Sequence, residues 1–185
     1  MKHDRSTPLE VLAETSHLRL INYDGWSYVE RTSANGVVCI VARTPADCLL
    51  LVEQYRPPVN RRVIELPAGL SGDLADQPDE HLETAARREL LEETGYEASP
   101  WNRFGDVASS AGLTNEVVTM FIANHLVKVA AGGGDASEDI TVHEIPLTKI
   151  DTWLQDAQRS GKLVDARVYS GLYLLGCGGP VISDS

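Results

Sequence analysis

Cysteine is scarce in this sequence. Cys39, Cys48 and Cys177 lie far apart and form no C-x-x-C pair, which argues against a disulfide framework and against a cysteine-based zinc site. That usage is expected of a chain kept in a reducing cytoplasm. Long apolar runs are missing as well, since no stretch approaches the ~18 residues that a membrane-spanning helix needs. The opening MKHDRSTPLE has no apolar h-region, so no secretory signal is expected. Basic charge is in deficit: 16 Lys and Arg face 27 Asp and Glu, a formal net charge of −11. A nucleic-acid binder carries a basic patch, and only Arg56, Arg61 and Arg62, then Arg87 and Arg88, cluster here. Neither a nucleic-acid nor a membrane partner is expected. The five histidines are scattered and read as structural or surface groups. There is no internal repeat and no interdomain linker. What remains, 43% apolar and 23% charged residues in a chain of 185, suits one globular domain with a sizeable core.

Periodicity gives the element order. Residues 1–15 are polar, with one helical turn expected around Leu9–Glu14. Leu18 to Glu30 alternates, with Tyr23-Asp24-Gly25 as the turn of a hairpin. Val37–Val41 and Cys48–Glu53 are continuous apolar runs and read as buried strands, with a turn at Thr44–Asp47. Val63 to Gly69 reads as one short strand ending in a Pro/Gly turn, followed by a loop at 70–78. Pro78 suits the first turn of a helix. Asp79, Glu80 and Glu83 suit its positive end, Leu82, Ala85, Ala86 and Leu90 its buried stripe, and Gly95 its C-terminal stop. Strands are expected at 101–108, 117–123, 126–129 and 140–145. An amphipathic helix over 147–160 and an apolar helix over 164–175 follow. Strands first, one central helix and helices at the end predict an α+β fold, a sandwich around mixed sheets.

The densest chemistry lies in Arg88-Glu89-Leu90-Leu91-Glu92-Glu93-Thr94-Gly95-Tyr96. On a helix Glu89 and Glu93 are one turn apart and Glu92 borders the same face. Like charges at those spacings cost about 0.2–0.5 kcal/mol per pair. Arg88 offsets part of that, and a hard divalent cation, which takes carboxylate oxygens, would offset more. A solvated acidic face is the competing explanation for such a patch. The full string decides between them. With Glu80 eight residues before Arg88, it resembles the Nudix box at Glu80, Arg88, Glu89, Leu90, Glu92, Glu93, Gly95 and Tyr96. Further matches at Gln54–Pro58, Glu65–Leu70, Ser109–Gly112 and Glu138–Ile140 resemble the ADP-ribose pyrophosphatase branch of the Nudix hydrolases.

The resemblance implies an α/β/α sandwich, the Nudix fold with a mixed β-sheet. It divides the chain into an N-terminal antiparallel strand region at 1–35, a hydrolase domain at 36–177 and a loose tail at 178–185. In that branch the N-terminal strands often exchange between two subunits, which implies a homodimer. The reaction it implies is hydrolysis of the P–O–P bridge of a nucleoside diphosphate sugar with Mg²⁺ or Mn²⁺. Glu89, Glu92 and Glu93 and the carbonyl of Ala68 are the implied metal ligands, and Arg88 orients the glutamates. Arg56 is a candidate for the substrate phosphate, because guanidinium binds phosphate in a bidentate manner. Glu65 pairs with an arginine or touches the ligand. Gly69 walls the site. Trp26 resembles a base-stacking aromatic, with Arg31 as a further ligand contact. Glu138 is the candidate general base and Glu116 its competitor. Catalytic work is thus assigned to Glu138, Glu92, Arg88 and Glu116.

Two features depart from the branch. The box glycine is displaced to Gly69, eleven residues before Glu80, so the intervening loop carries about five extra residues. Ser27 stands where some relatives hold an acid near the base, which weakens the case for adenine. The expected substrate is ADP-ribose, giving AMP and ribose 5-phosphate. GDP-mannose or another nucleotide sugar is the alternative, and a catalytically silent Nudix-type sensor of ADP-ribose is the reading from a different class.

Overall fold

The computed structural model describes residues 8–74, 76–134 and 139–177. Glu138 and the tail 178–185 lie outside the described residues.

Strands β1 (Glu10–Glu14), β2 (Leu18–Tyr23) and β3 (Trp26–Arg31) form an antiparallel N-terminal sheet in that order. The expected helical turn around Leu9–Glu14 is instead strand β1, since Glu10 and Val11 pair with Asn22 and Ile21 before a bulge shifts the register. Partner backbone outcompetes a single isolated turn, which is costly to nucleate. The β2–β3 hairpin closes on Asp24 and Gly25, both at positive φ (50° and 77°), the conformation that matches strand twist.

Next come β4 (Gly36–Ala42), β5 (Cys48–Arg56), β6 (Arg61–Glu65) and β7 (Ala68–Ser71). The stretch 63–69 is therefore not one strand. It breaks at Leu66-Pro67, where proline cannot donate to a ladder, and the chain passes from one sheet into another. Helix α1 runs over Leu82–Thr94, four residues later than Pro78 suggested, so Asp79 and Glu80 precede it. Gly95 ends it in the left-handed region at φ 75°, its N–H donating to the Leu91 carbonyl. After α1 come β8 (Tyr96–Glu97), β9 (Trp101–Ala108), β10 (Val117–Ala123), β11 (Val127–Lys128) and β12 (Thr141–Pro146). Helix α2 (Ile150–Arg159), strand β13 (Leu163–Val164) and helix α3 (Ala166–Cys177) complete the order. The last helix thus starts two residues later than expected, after a short strand.

Two four-stranded mixed sheets carry the body. One has the order β7-β4-β10-β9 with β4 and β10 parallel, and the other the order β12-β5-β6-β13 with β6 and β13 parallel. Strand β4 is buried on both faces, as its unbroken apolar run requires. Cys39 and Val41 enter one core with Leu49, Leu51, Leu154 and Val168, while Val38, Ile40 and Ala42 enter the other with Ala85, Ala86, Leu90 and Phe121. Helix α1 therefore covers one side, and α2 and α3 the other, giving the α/β/α sandwich. No described helix is long and apolar enough to cross a membrane.

Candidate active site

The switch between sheets creates the site. Glu65 ends β6 in one sheet, and three residues on Ala68 opens β7 in the other, paired with Cys39 of β4. Helix α1 packs against β7 and β4 and turns Glu89 and Glu93 towards that junction. Glu93 is 3% exposed, and its Oε2 accepts the Ala68 N–H at 3.0 Å. Glu89 lies across Gly69: a Cβ there would stand 1.9 Å from the Glu89 Cδ, so a larger residue would oblige this carboxylate to move.

Arg88 fixes both ends of the motif. Its Nε and Nη2 donate to the two oxygens of Glu80, each at 3.1 Å, and Nη2 also donates to the Leu70 carbonyl at 2.9 Å. Its Nη1 donates to Glu89 at 2.9 Å and Glu92 at 3.1 Å. The Glu80 side chain is 1% exposed and that of Arg88 18%. This is an orienting clamp, far from a solvated surface pair. The Arg88 hydrogen bonds hold the Glu80 carboxyl below its ordinary range against the opposing effect of burial. Burial pushes Glu89 the other way, up to about 7, despite the attraction of Arg88.

Glu89, Glu93, Ala68 and Gly69 line a cleft of about 810 Å³, together with Arg31, Arg56, Glu65 and Glu116. A smaller recess of about 260 Å³ shares Arg31 and Glu116 with it and runs towards Asn35 and Asn115. Arg56 grips buried Glu65, with Nε at 3.2 and 3.0 Å from its two oxygens and Nη2 at 2.8 Å from Oε2. Arg31 donates to Glu116 Oε2 from Nε at 3.3 Å and Nη2 at 3.0 Å. Glu116 is thus tied to a cation.

Eight of the residues singled out from sequence line one cleft. Arg88 stands behind it. Glu92 is on the outer side of α1, with its side chain 52% exposed, and is not among the lining residues. Trp26 is 59% exposed at the hairpin tip and is not among them either. Around position 138 the described neighbours are anchored. Gly133 and Gly134 N–H groups donate to the carbonyls of Glu93 and Glu92 at 2.7 and 3.0 Å, and Arg62 holds Asp139 at 2.7 Å.

Sequence reading missed Asp73, Asp165 and Arg167, which line the same cleft. Asp73 belongs to the lengthened loop and approaches Arg88 at 3.4 Å. Asp165 and Arg167 flank the start of α3, about a hundred residues from Glu65 in sequence, and the β13–β6 pairing brings them near it.

Among the described residues no three His, Cys, Asp or Glu side chains already converge as a metal cage. The donor set nonetheless fits a hard dication of the Mg²⁺ kind. Such an ion binds through one or two carboxylates and completes its shell with water and substrate phosphate. Glu89 and Glu93 are two such carboxylates, side by side in a cleft that a phosphate can enter. A carboxylate sunk as deeply as Glu89, with the Arg88 guanidinium beside it, is what a cation would stabilise further.

The NUDIX domain family profile matches residues 32–163. The methanol dehydrogenase activator of Bacillus methanolicus is 31% identical over 122 residues, covering 65% of this chain and 63% of that protein. The ADP-ribose pyrophosphatase of Bacillus subtilis (strain 168) is 33% identical over 132 residues, covering 71% of this chain and 64% of that protein. This chain therefore spans less than two thirds of the length of either relative. Among solved structures, that of an ADP compounds hydrolase aligns over 92% of this chain and 91% of its own, with a TM-score of 0.69 at 21% identity, a likeness of fold.

Proposed function

The chain belongs to the Nudix family, and from that premise we propose that it is a divalent-metal-dependent pyrophosphatase of ADP-ribose or a related nucleoside diphosphate sugar. The products are a nucleoside monophosphate and a sugar phosphate. The observation that carries this reading is the carboxylate pair Glu89 and Glu93, seated against Ala68 and Gly69 in a cleft that also holds Arg56.

Glu89, Glu93 and the Ala68 carbonyl would hold the ion, Mg²⁺ or Mn²⁺, with Glu92 next to Glu93 in sequence on the outer side of α1. The chemistry supplied by a bound dication is charge neutralisation on the diphosphate and a lower pKa for the attacking water. Arg88 keeps Glu89 and Glu92 in register on the helix. Arg56 and Arg31 bind the anionic substrate through charge-assisted hydrogen bonds. Water attacks one phosphorus, a new P–O bond forms and the bridging P–O bond breaks. The water proton goes to a carboxylate, Glu138 or Glu116, and the bridging oxygen leaves as part of the departing phosphate. Glu116 is already engaged by Arg31 at 3.0 Å, which favours Glu138.

The working unit in this reading is a homodimer in the cytoplasm. Leu9, Val11, Leu12, Leu18 and Trp26 of the N-terminal sheet region are 42–59% exposed, an apolar surface suited to exchange with a second copy. Trp26 would then stack on the substrate base at the partner's cleft.

The test is incubation with ADP-ribose and Mg²⁺, with AMP and ribose 5-phosphate as the expected products and chelation abolishing them. Glu93→Gln should lower kcat by about 100- to 1,000-fold, the usual scale for losing one group that stabilises transition-state charge. An unchanged kcat in that variant would end the metal-platform assignment. Failure to turn over a panel of nucleotide sugars, despite tight binding of one, would establish the sensor reading instead.

A further inference from the structure

Arg167, from the first turn of α3, lines the same cleft as Glu89 and Glu93 of α1. It is locked in place by the residue two before it. Asp165 accepts the Arg167 backbone N–H at 2.7 Å, Nε at 2.9 Å and Nη2 at 2.8 Å. Asp165 is itself fixed, its own N–H donating to the Ile64 carbonyl of β6 at 2.9 Å. On the other side, Arg167 Nη2 stands 3.9 Å from Glu65 Oε1, the carboxylate that Arg56 grips. Two guanidiniums and two carboxylates thus alternate along this wall.

The three cleft arginines share one arrangement. Arg31, Arg56 and Arg167 each give the Nε and Nη2 edge to a carboxylate, from Glu116, Glu65 and Asp165 respectively. In each, Nη1 makes no hydrogen bond among the described residues. Arg88 and Arg62, which act as internal clamps, differ: both engage Nε, Nη1 and Nη2. A guanidinium gripped along one edge loses little freedom when the remaining edge takes an anion, and its fork geometry suits phosphate oxygens.

We propose that Arg167 is a phosphate-binding residue, a second guanidinium beside Arg56 that contacts the diphosphate of the substrate through Nη1. The ligand class is a nucleoside diphosphate, so the proposal rests on the reading of the cleft as a nucleotide-sugar site. It does not rest on turnover.

The test uses the full chain with Mg²⁺, and titration calorimetry with two probes, ADP and adenosine. Binding rather than hydrolysis is measured, so a protein that binds ADP but hydrolyses nothing refutes the pyrophosphatase reading and leaves this test intact. Arg167→Gln should weaken ADP by about 10-fold or more, the scale of a lost charge-assisted hydrogen bond. Adenosine, which has no phosphate, should bind within twofold of wild type. With ADP-ribose as substrate, the same variant should raise KM and leave kcat within about threefold. An unchanged ADP affinity overturns the proposal, as does an equal loss for ADP and adenosine, which would make Arg167 a structural strut. Should Arg167→Gln fail to fold, Arg167→Lys takes its place. It keeps the charge but cannot hold Asp165 and an anion with one planar fork. A several-fold loss for ADP alone is expected, and equal affinities for wild type and variant would refute the assignment.

Discussion

The two sides of the cleft are built in opposite ways. On the α1 side, Glu80, Arg88, Glu89 and Glu93 come from fourteen consecutive residues, and Gly69 is the close neighbour that makes room for them. On the α3 side, Arg56, Glu65, Asp165 and Arg167 come from three separate segments, brought together by the β5–β6 and β6–β13 pairings. The first side gathers carboxylates around one guanidinium. The second alternates guanidinium with carboxylate. A helix turn can gather acidic side chains by itself, whereas the alternating wall needs the tertiary fold to assemble it. The kinetic counterpart is a division of labour: damage to the α1 side should appear in kcat, and damage to the α3 side in KM.

The largest effect that would break this contrast is at Gly69. Gly69→Ala places a methyl 1.9 Å from the Glu89 Cδ, so Glu89 must move. A displacement of about 1 Å at a reacting centre costs roughly 100-fold, and kcat measured with saturating ADP-ribose should fall by that order. Retention of wild-type kcat would mean that Glu89 can leave Gly69 without consequence. A smaller loss is expected for Glu80→Gln. It removes the charge on which Arg88 rests, and outer-sphere partners of this kind typically control about 10- to 100-fold. Steady-state kinetics should show about a 10-fold drop in kcat at nearly constant KM; a change confined to KM would erase the distinction between the two sides. The smallest effect sharpens the contrast from outside. Trp26→Ala, on the N-terminal sheet, should raise KM about fivefold, the lower end of base stacking at ~1 kcal/mol. An effect on kcat instead would give the hairpin a role in the chemistry.

The same contrast decides what could be read from the sequence. The α1 side was legible because its chemistry is local: helix spacing alone sets Glu89 and Glu93 on one face, and the glycine stop and arginine clamp sit at fixed offsets. The strands of the body were legible from their apolar runs. Arg167 and Asp165 were not, since an Asp-x-Arg at the start of a helix gives no sign of which carboxylate or cleft it will meet. The break at Leu66-Pro67 was hidden for a related reason. Proline marked the end of a ladder, but nothing local showed that the chain would re-enter a different sheet. Glu10 to Glu14 misled because a strand whose five residues are all exposed has no buried face to imprint a pattern, so its conformation is dictated by β2.

That break has a mechanical consequence. From Glu65 to Ala68 there are three Cα–Cα steps, which span at most ~11 Å when fully extended. Glu65 anchors Arg56, and Ala68 anchors Glu93. The separation of Glu65 from Ala68 therefore has a covalent upper limit, which sliding of one sheet over the other cannot exceed. A diphosphate has the same length whatever sugar or base it carries. On the proposed function, selectivity among nucleotide sugars is expected to be set beyond this short span, at the N-terminal hairpin and in the loops.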